Sequence, residues 1–139
     1  MSVSFHSEQI NYTISNASSV SEWLNEVCIK EGKSLLEVSY IFCSDAYLLE
    51  MNRQFLDHDY FTDVITFDYC DGNDVSGDVF ISVDRVSENA LSVGASTIDE
   101  MHRVIVHGLL HLIGYNDKSK SEKTLMTEKE DYYLSLRTF

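Results

Sequence analysis

The stretch His107-Gly-Leu-Leu-His-Leu-Ile-Gly-Tyr-Asn-Asp117 closes a longer run beginning at Thr97, and its reading decides the fold and the chemistry. From Thr97 onward Met101, Ile105, Leu109 and Leu112 recur at spacings of three and four, the period of a helix with one buried stripe. Thr97 and Glu100 match the T-x-x-E capping box that opens a helix, and Gly114 suits its end. His107 and His111, four apart, project from one face of that helix, one turn above the other, as two ligands of one metal ion would. After Gly114 the reversal through Tyr115 and Asn116 can swing the Asp117 carboxylate back towards both imidazoles. Two histidines and a carboxylate leave one coordination position open, the mark of a catalytic metal whose bound water has its pKa lowered to about 7. One zinc ion is expected; manganese, nickel or iron also suits a set with a hard carboxylate ligand.

On the C-terminal side, Ser119 and Glu122 frame a second capping box, followed by Leu125, Met126, Tyr133 and Leu136 as packing positions. On the N-terminal side a short helix is expected from about Asp84 to Ser92. Before it come strands Val64 to Tyr69 and Asp78 to Val83, joined through the turn-rich Asp71-Gly72-Asn73-Asp74. Leu36, Val38, Tyr40 and Phe42 alternate with Glu37, Ser39 and Ile41 as a strand does, and Ser44-Asp45 then starts a helix to about Phe55. Ser19 to Glu22 reads as a capping box for a helix with Val20, Trp23, Leu24, Val27 and Cys28 on its apolar face, ended by Gly32; Ser2 to Phe5 reads as a first strand. Helices and strands alternate too irregularly for a doubly wound fold. An α+β domain with a small mixed sheet of about four strands, packed with helices, is expected. With no repeat, linker or proline to mark a boundary, residues 1–139 are expected to form one domain.

Apolar residues at 44% and charged residues at 24% place the chain among ordinary globular proteins. No apolar run is long enough to span a membrane and the N-terminus lacks a leader pattern, so a cytoplasmic location without membrane association is expected. Cys28, Cys43 and Cys70 are odd in number and widely spaced, which suggests reduced thiols. A net charge of −13 argues against generic, charge-driven binding to nucleic acid. Lys118, Lys120 and Lys123 nevertheless follow the metal loop directly, and the first two are RNA-binding candidates.

The spacing H-x-x-x-H-x-x-G-x-x-[HD] matches that of metzincin proteases, but their general-base glutamate is replaced by Gly108. What the segment resembles nearly letter for letter is the YbeY family signature H-G-x-L-H-L-x-G-Y-D-H, with Leu110, Leu112, Gly114 and Tyr115 in place. Thr62-Asp63-Val64-Ile65-Thr66-Phe67 resembles the family's T-[DN]-V-[LI]-[ST]-F, and Gly77-Asp78-Val79-Phe80-Ile81 its G-D-[IV]-x-I strand, so the resemblance covers about residues 36 to 134. It implies a zincin-like metal helix and a zinc-dependent hydrolase, a single-strand-specific endoribonuclease of 16S rRNA 3′-end maturation and ribosome quality control. Implied partners are rRNA, the small ribosomal subunit, ribosomal proteins and assembly GTPases, with no DNA. The chain departs from the pattern at Asp117 and Asn116, where the family has histidine and aspartate. Leu56 stands at the family's arginine and Phe61 at its proline.

Arg53, three residues before Leu56 on the same helix, is the expected substitute cation, assigned a catalytic part beside His107 and His111. Glu100 and Arg103 share the His107 face and are expected to orient the ligands, or to pair with one another; Asp63 and Asp78 are candidates to line the cleft. His102 is expected to pack or hydrogen-bond. Tyr60, Phe61, Phe67 and Tyr69 are expected mostly in the core, with base stacking as the alternative. Two other functions fit the residues: a peptidase or other hydrolase using the same metal, and a non-catalytic ribosome-assembly factor with a structural metal.

Overall fold

The computed structural model describes all residues from Met1 to Phe139. Its elements run β1 (Ser2–Glu8), α1 (Ala17–Lys30), β2 (Ser34–Cys43), α2 (Asp45–Leu56), β3 (Val64–Asp68), β4 (Asp74–Ser82), α3 (Val83–Val93), α4 (Thr97–Ile113) and α5 (Lys120–Ser135). The strands form one mixed sheet in the order β1-β2-β4-β3. β1, β2 and β4 are parallel neighbours, while β3 folds back antiparallel on β4 as a hairpin through Gly72, which sits at φ 58°. This is the α+β architecture expected from the sequence.

Alternation along the strands divides the sheet into two faces. Val38, Tyr40 and Phe42 of β2 and Val75, Val79 and Ile81 of β4 point into the larger core, shared with Val20, Leu24 and Val27 of α1 and Met101, Ile105, Leu109 and Leu112 of α4. The Tyr40 hydroxyl donates to the Ile105 carbonyl at 3.0 Å, joining the central sheet to α4. On the opposite face α2 covers a smaller cluster of Cys43, Leu48 and Ile65. Two glycines let α4 lie close to the sheet. A Cβ on Gly77 would stand 2.5 Å from the Phe67 carbonyl oxygen and 2.8 Å from Leu112 Cδ2, and one on Gly108 would stand 2.7 Å from Val79 Cγ1.

Several local expectations are corrected. Leu36 is exposed and Leu35 buried, because the β2–β4 register shifts between Leu35 and Glu37 and the extra residue turns outward. α1 begins at Ala17 behind Asn16, in the left-handed conformation with no side-chain cap, so Ser19 and Glu22 lie within the helix and form no capping box. The cap of α4 is Ser96, one residue before Thr97, and its hydroxyl accepts from the Asp99 N–H at 3.1 Å. The Ser119–Glu122 box is present at α5. That helix buries Met126, Glu130 and Tyr133, however, leaving Leu125 and Leu136 exposed. The three cysteines are free thiols, two of them buried. No helix is long and apolar enough to cross a membrane.

Candidate metal centre

His107 and His111 leave α4 on one face with their Nε2 atoms 3.0 Å apart. Gly114, at φ 124°, ends the helix and releases the chain into the turn that returns Asp117 Oδ2 to 3.3 Å from each Nε2. On the outer side of the rings, His111 Nδ1 lies 2.9 Å from the Tyr115 carbonyl and His107 Nδ1 lies 2.6 Å from Glu130 Oε2. A carbonyl and an ionised carboxylate only accept, so both Nδ1 atoms are assigned as donors and both Nε2 lone pairs converge on one point with Asp117. Ligands about 2.0–2.1 Å from a tetrahedral ion stand about 3.3 Å from one another, so this donor set fits a metal such as zinc. The His107 pKa is raised: burial lowers it, but the Glu130 hydrogen bond and the charges of Glu130, Asp117 and Asp63 outweigh burial.

Glu130 is the residue that sequence reading missed. Its carboxylate, 6% exposed, bonds His107 on one side and accepts from Arg103 at 2.8 Å on the other, and Arg103 also grips Asp131 at 2.5 Å. Arg103 therefore supports His107 through Glu130 and makes no ion pair with Glu100. The available signal was the spacing Met126, Glu130, Tyr133, which puts a carboxylate on the buried stripe of α5, where it needs partners.

Asp63, just before β3, lies beside the centre with Asn89 Nδ2 at 3.5 Å. Burial raises its pKa, with Glu130 and Asp117 adding to the rise and His107 opposing it. Glu100 is also raised, first by burial, with Asp63 and Glu130 contributing against Arg103 and His107. Both carboxylates thus stand within electrostatic reach of His107. Asp78 does not line this cleft: its neighbours Gly77 and Val79 face α4, so strand alternation turns it to the opposite face, where Tyr69 Oη donates to it at 3.3 Å. Arg53 sits exposed on α2, which covers that far face, pairs with Asp59 at 2.5 Å and Glu50 at 3.7 Å, and makes no contact with the imidazoles.

Lys118 and Lys120 are exposed next to Asp117 and form no ion pair. His102 is a buried packing residue that accepts from Arg137 at 2.7 Å between Trp23 and Phe139. Tyr60, Phe61 and Tyr69 are exposed instead of lying in the core, and the Arg85 guanidinium sits 5.2 Å from the centre of the Phe61 ring. Phe67 is partly buried and packs edge-on against Phe80. The position that holds the general base in metzincins, Gly108, faces Val79 at a distance that excludes even a methyl group, so no carboxylate fits there.

Comparison with known proteins places the chain in a family. Residues 2–137 match the family model described as Endoribonuclease YbeY. A relative from Cytophaga hutchinsonii bearing that name is 52% identical, over 97% of this chain and 95% of its own. Another from Bacteroides thetaiotaomicron, with the same name, is 48% identical over 99% of this chain and 100% of its own. A solution structure from Thermotoga maritima superposes with a TM-score of 0.66 at 28% identity, covering 96% of this chain and 87% of that one. With the family model spanning nearly every residue and the signature folded around two convergent imidazoles, the chain belongs to the YbeY family.

Proposed function

We propose that this protein is a zinc-dependent endoribonuclease that cuts single-stranded RNA in 16S rRNA 3′-end maturation and ribosome quality control, in the cytoplasm, with the small ribosomal subunit, ribosomal proteins and assembly GTPases as partners. The observation that carries the reading is the convergence of His107 Nε2, His111 Nε2 and Asp117 Oδ2 on one point. When bound there, the metal supplies a polarising charge and an acidified water for hydrolysis of a phosphodiester. Glu130 holds the His107 ring in the tautomer that keeps Nε2 free, and the Tyr115 carbonyl does the same for His111. In this reading Asp63, whose burial favours the protonated form, holds a proton beside the metal.

The −13 net charge requires attraction to be local. Lys118 and Lys120 offer unpaired cations for phosphates, and the exposed Phe61, two residues before Asp63, offers a face for an unpaired base, a contact worth about 1–3 kcal/mol. Arg53, on the far face of the sheet and paired with Asp59, does not supply the cation at this centre. That favours, as a second reading, an assembly factor with a structural metal. The test is cleavage of labelled single-stranded RNA by wild type and His111→Ala from identical preparations, with zinc and manganese supplied separately. Cleavage lost in the variant supports the nuclease; equal cleavage in both refutes it, and none in either favours the assembly factor.

A further inference from the structure

Glu31 ends α1 in an unfavourable place. It is the C-cap residue, where the helix macrodipole disfavours an anion, and its side chain is only 9% exposed. Nothing in α1 requires a carboxylate there. Its oxygens instead accept from Tyr115 Oη at 2.5 Å, from Lys129 Nζ at 3.1 Å and from Tyr133 Oη. These bonds outweigh burial and keep the carboxyl ionised. Lys129 also stands 5.4 Å from the centre of the Tyr115 ring, so the ring is held from two sides.

Tyr115 is fixed along its whole length. Its N–H donates to the Leu110 carbonyl at 3.0 Å, its hydroxyl is anchored on Glu31, and its carbonyl receives the Nδ1 proton of His111 at 2.9 Å. The residue before it is Gly114, at φ 124°, whose backbone alone would leave the direction of the next carbonyl loosely defined. The anchor that removes this freedom comes from 84 residues away in sequence.

We propose that Glu31 is a positioning residue for the metal centre, acting through Tyr115 to hold the His111 imidazole with Nε2 towards the ion. This rests on the metal reading above. Removing the anchor leaves all three ligands in place but frees the carbonyl that orients one of them, a loss on the order of tenfold in metal affinity.

The experiment measures zinc affinity by competition with a chromophoric chelator, and the visible spectrum of the cobalt(II) form, for the full-length wild type, Glu31→Ala, Tyr115→Phe, the double variant and Glu31→Gln. Circular dichroism verifies folding. The expected result is weaker zinc binding and an altered cobalt spectrum in both single variants, no further loss in the double, and recovery of most of the affinity in Glu31→Gln, which keeps an acceptor for Tyr115. Tyr115→Phe removes one hydroxyl and keeps the ring, so it reads the anchor even where Glu31→Ala fails to fold. Lower melting temperatures with unchanged affinity and spectrum would overturn the proposal while leaving the metal centre intact. A wild type that binds no metal would overturn both.

Discussion

Alanine is a better helix former than glycine by about 1 kcal/mol, yet Gly108→Ala should destabilise this protein. The new Cβ would meet Val79 Cγ1 at 2.7 Å, with Val79 Cγ2 at 3.5 Å and Thr66 Cγ2 at 3.7 Å. Val79 is fully buried on β4, which is hydrogen-bonded on both sides, so its stiff side chain has nowhere to turn and α4 must lift from the sheet. Overpacking of this kind costs about 1–3 kcal/mol, which exceeds the propensity gain and leaves a net loss of about 1 kcal/mol. For a chain of this length that lowers the melting temperature by roughly 3–4 °C. Urea unfolding of metal-stripped protein, followed by circular dichroism, gives the free energy, and the Val79→Ala background supplies the decisive control. There the methyl fills a cavity, so adding Gly108→Ala should stabilise by about the propensity gain, with a coupling of about 2 kcal/mol. Destabilisation that persists unchanged without the Val79 methyls would refute the packing argument, as would a wild-type background that gains stability.

Glu130→Ala should weaken zinc binding by roughly 10–100-fold, because His107 loses the acceptor on Nδ1 that fixes its ring; calorimetric titration showing wild-type affinity would exclude that role. His102 yields a pH prediction. Burial, with the neighbouring Arg137 adding and Asp99 opposing, holds its pKa below the ordinary 6.5, and its Nδ1 must stay unprotonated to accept from Arg137. Stability from this residue is therefore complete above that value and is lost as pH falls through it towards the depressed one. Going from about pH 7.5 to about pH 5.5, the melting temperature of His102→Phe should fall less than that of wild type; parallel curves would count against the assignment.

Helix period and capping chemistry made α4 legible, and with it the convergence of His107, His111 and Asp117, because both histidines and the turn to Asp117 depend only on local geometry. The ends of helices were less legible. Ser96 and Thr97 can both cap, and only the closed turn shows that the earlier hydroxyl takes the place. Leu36 was misread because a one-residue bulge resets the alternation on which strand faces are assigned. Arg53 was placed by its spacing from Leu56, which fixes neighbours on a helix but not the side of the sheet on which the helix packs. Glu130 was passed over because the reading of α5 sought apolar stripe positions, whereas the centre of that stripe is ionic.

The groups that steady the two imidazoles lie partly on another element: both histidines are on α4, whereas the carboxylate bonded to His107 is on α5. Docking of α5 closes Glu130 on His107 and sets Lys129 on Glu31, the anchor of Tyr115. An ion held by the proposed centre would therefore be coupled to the packing of α5, and protection of α5 amides from hydrogen exchange should rise when metal is added and fall when it is removed.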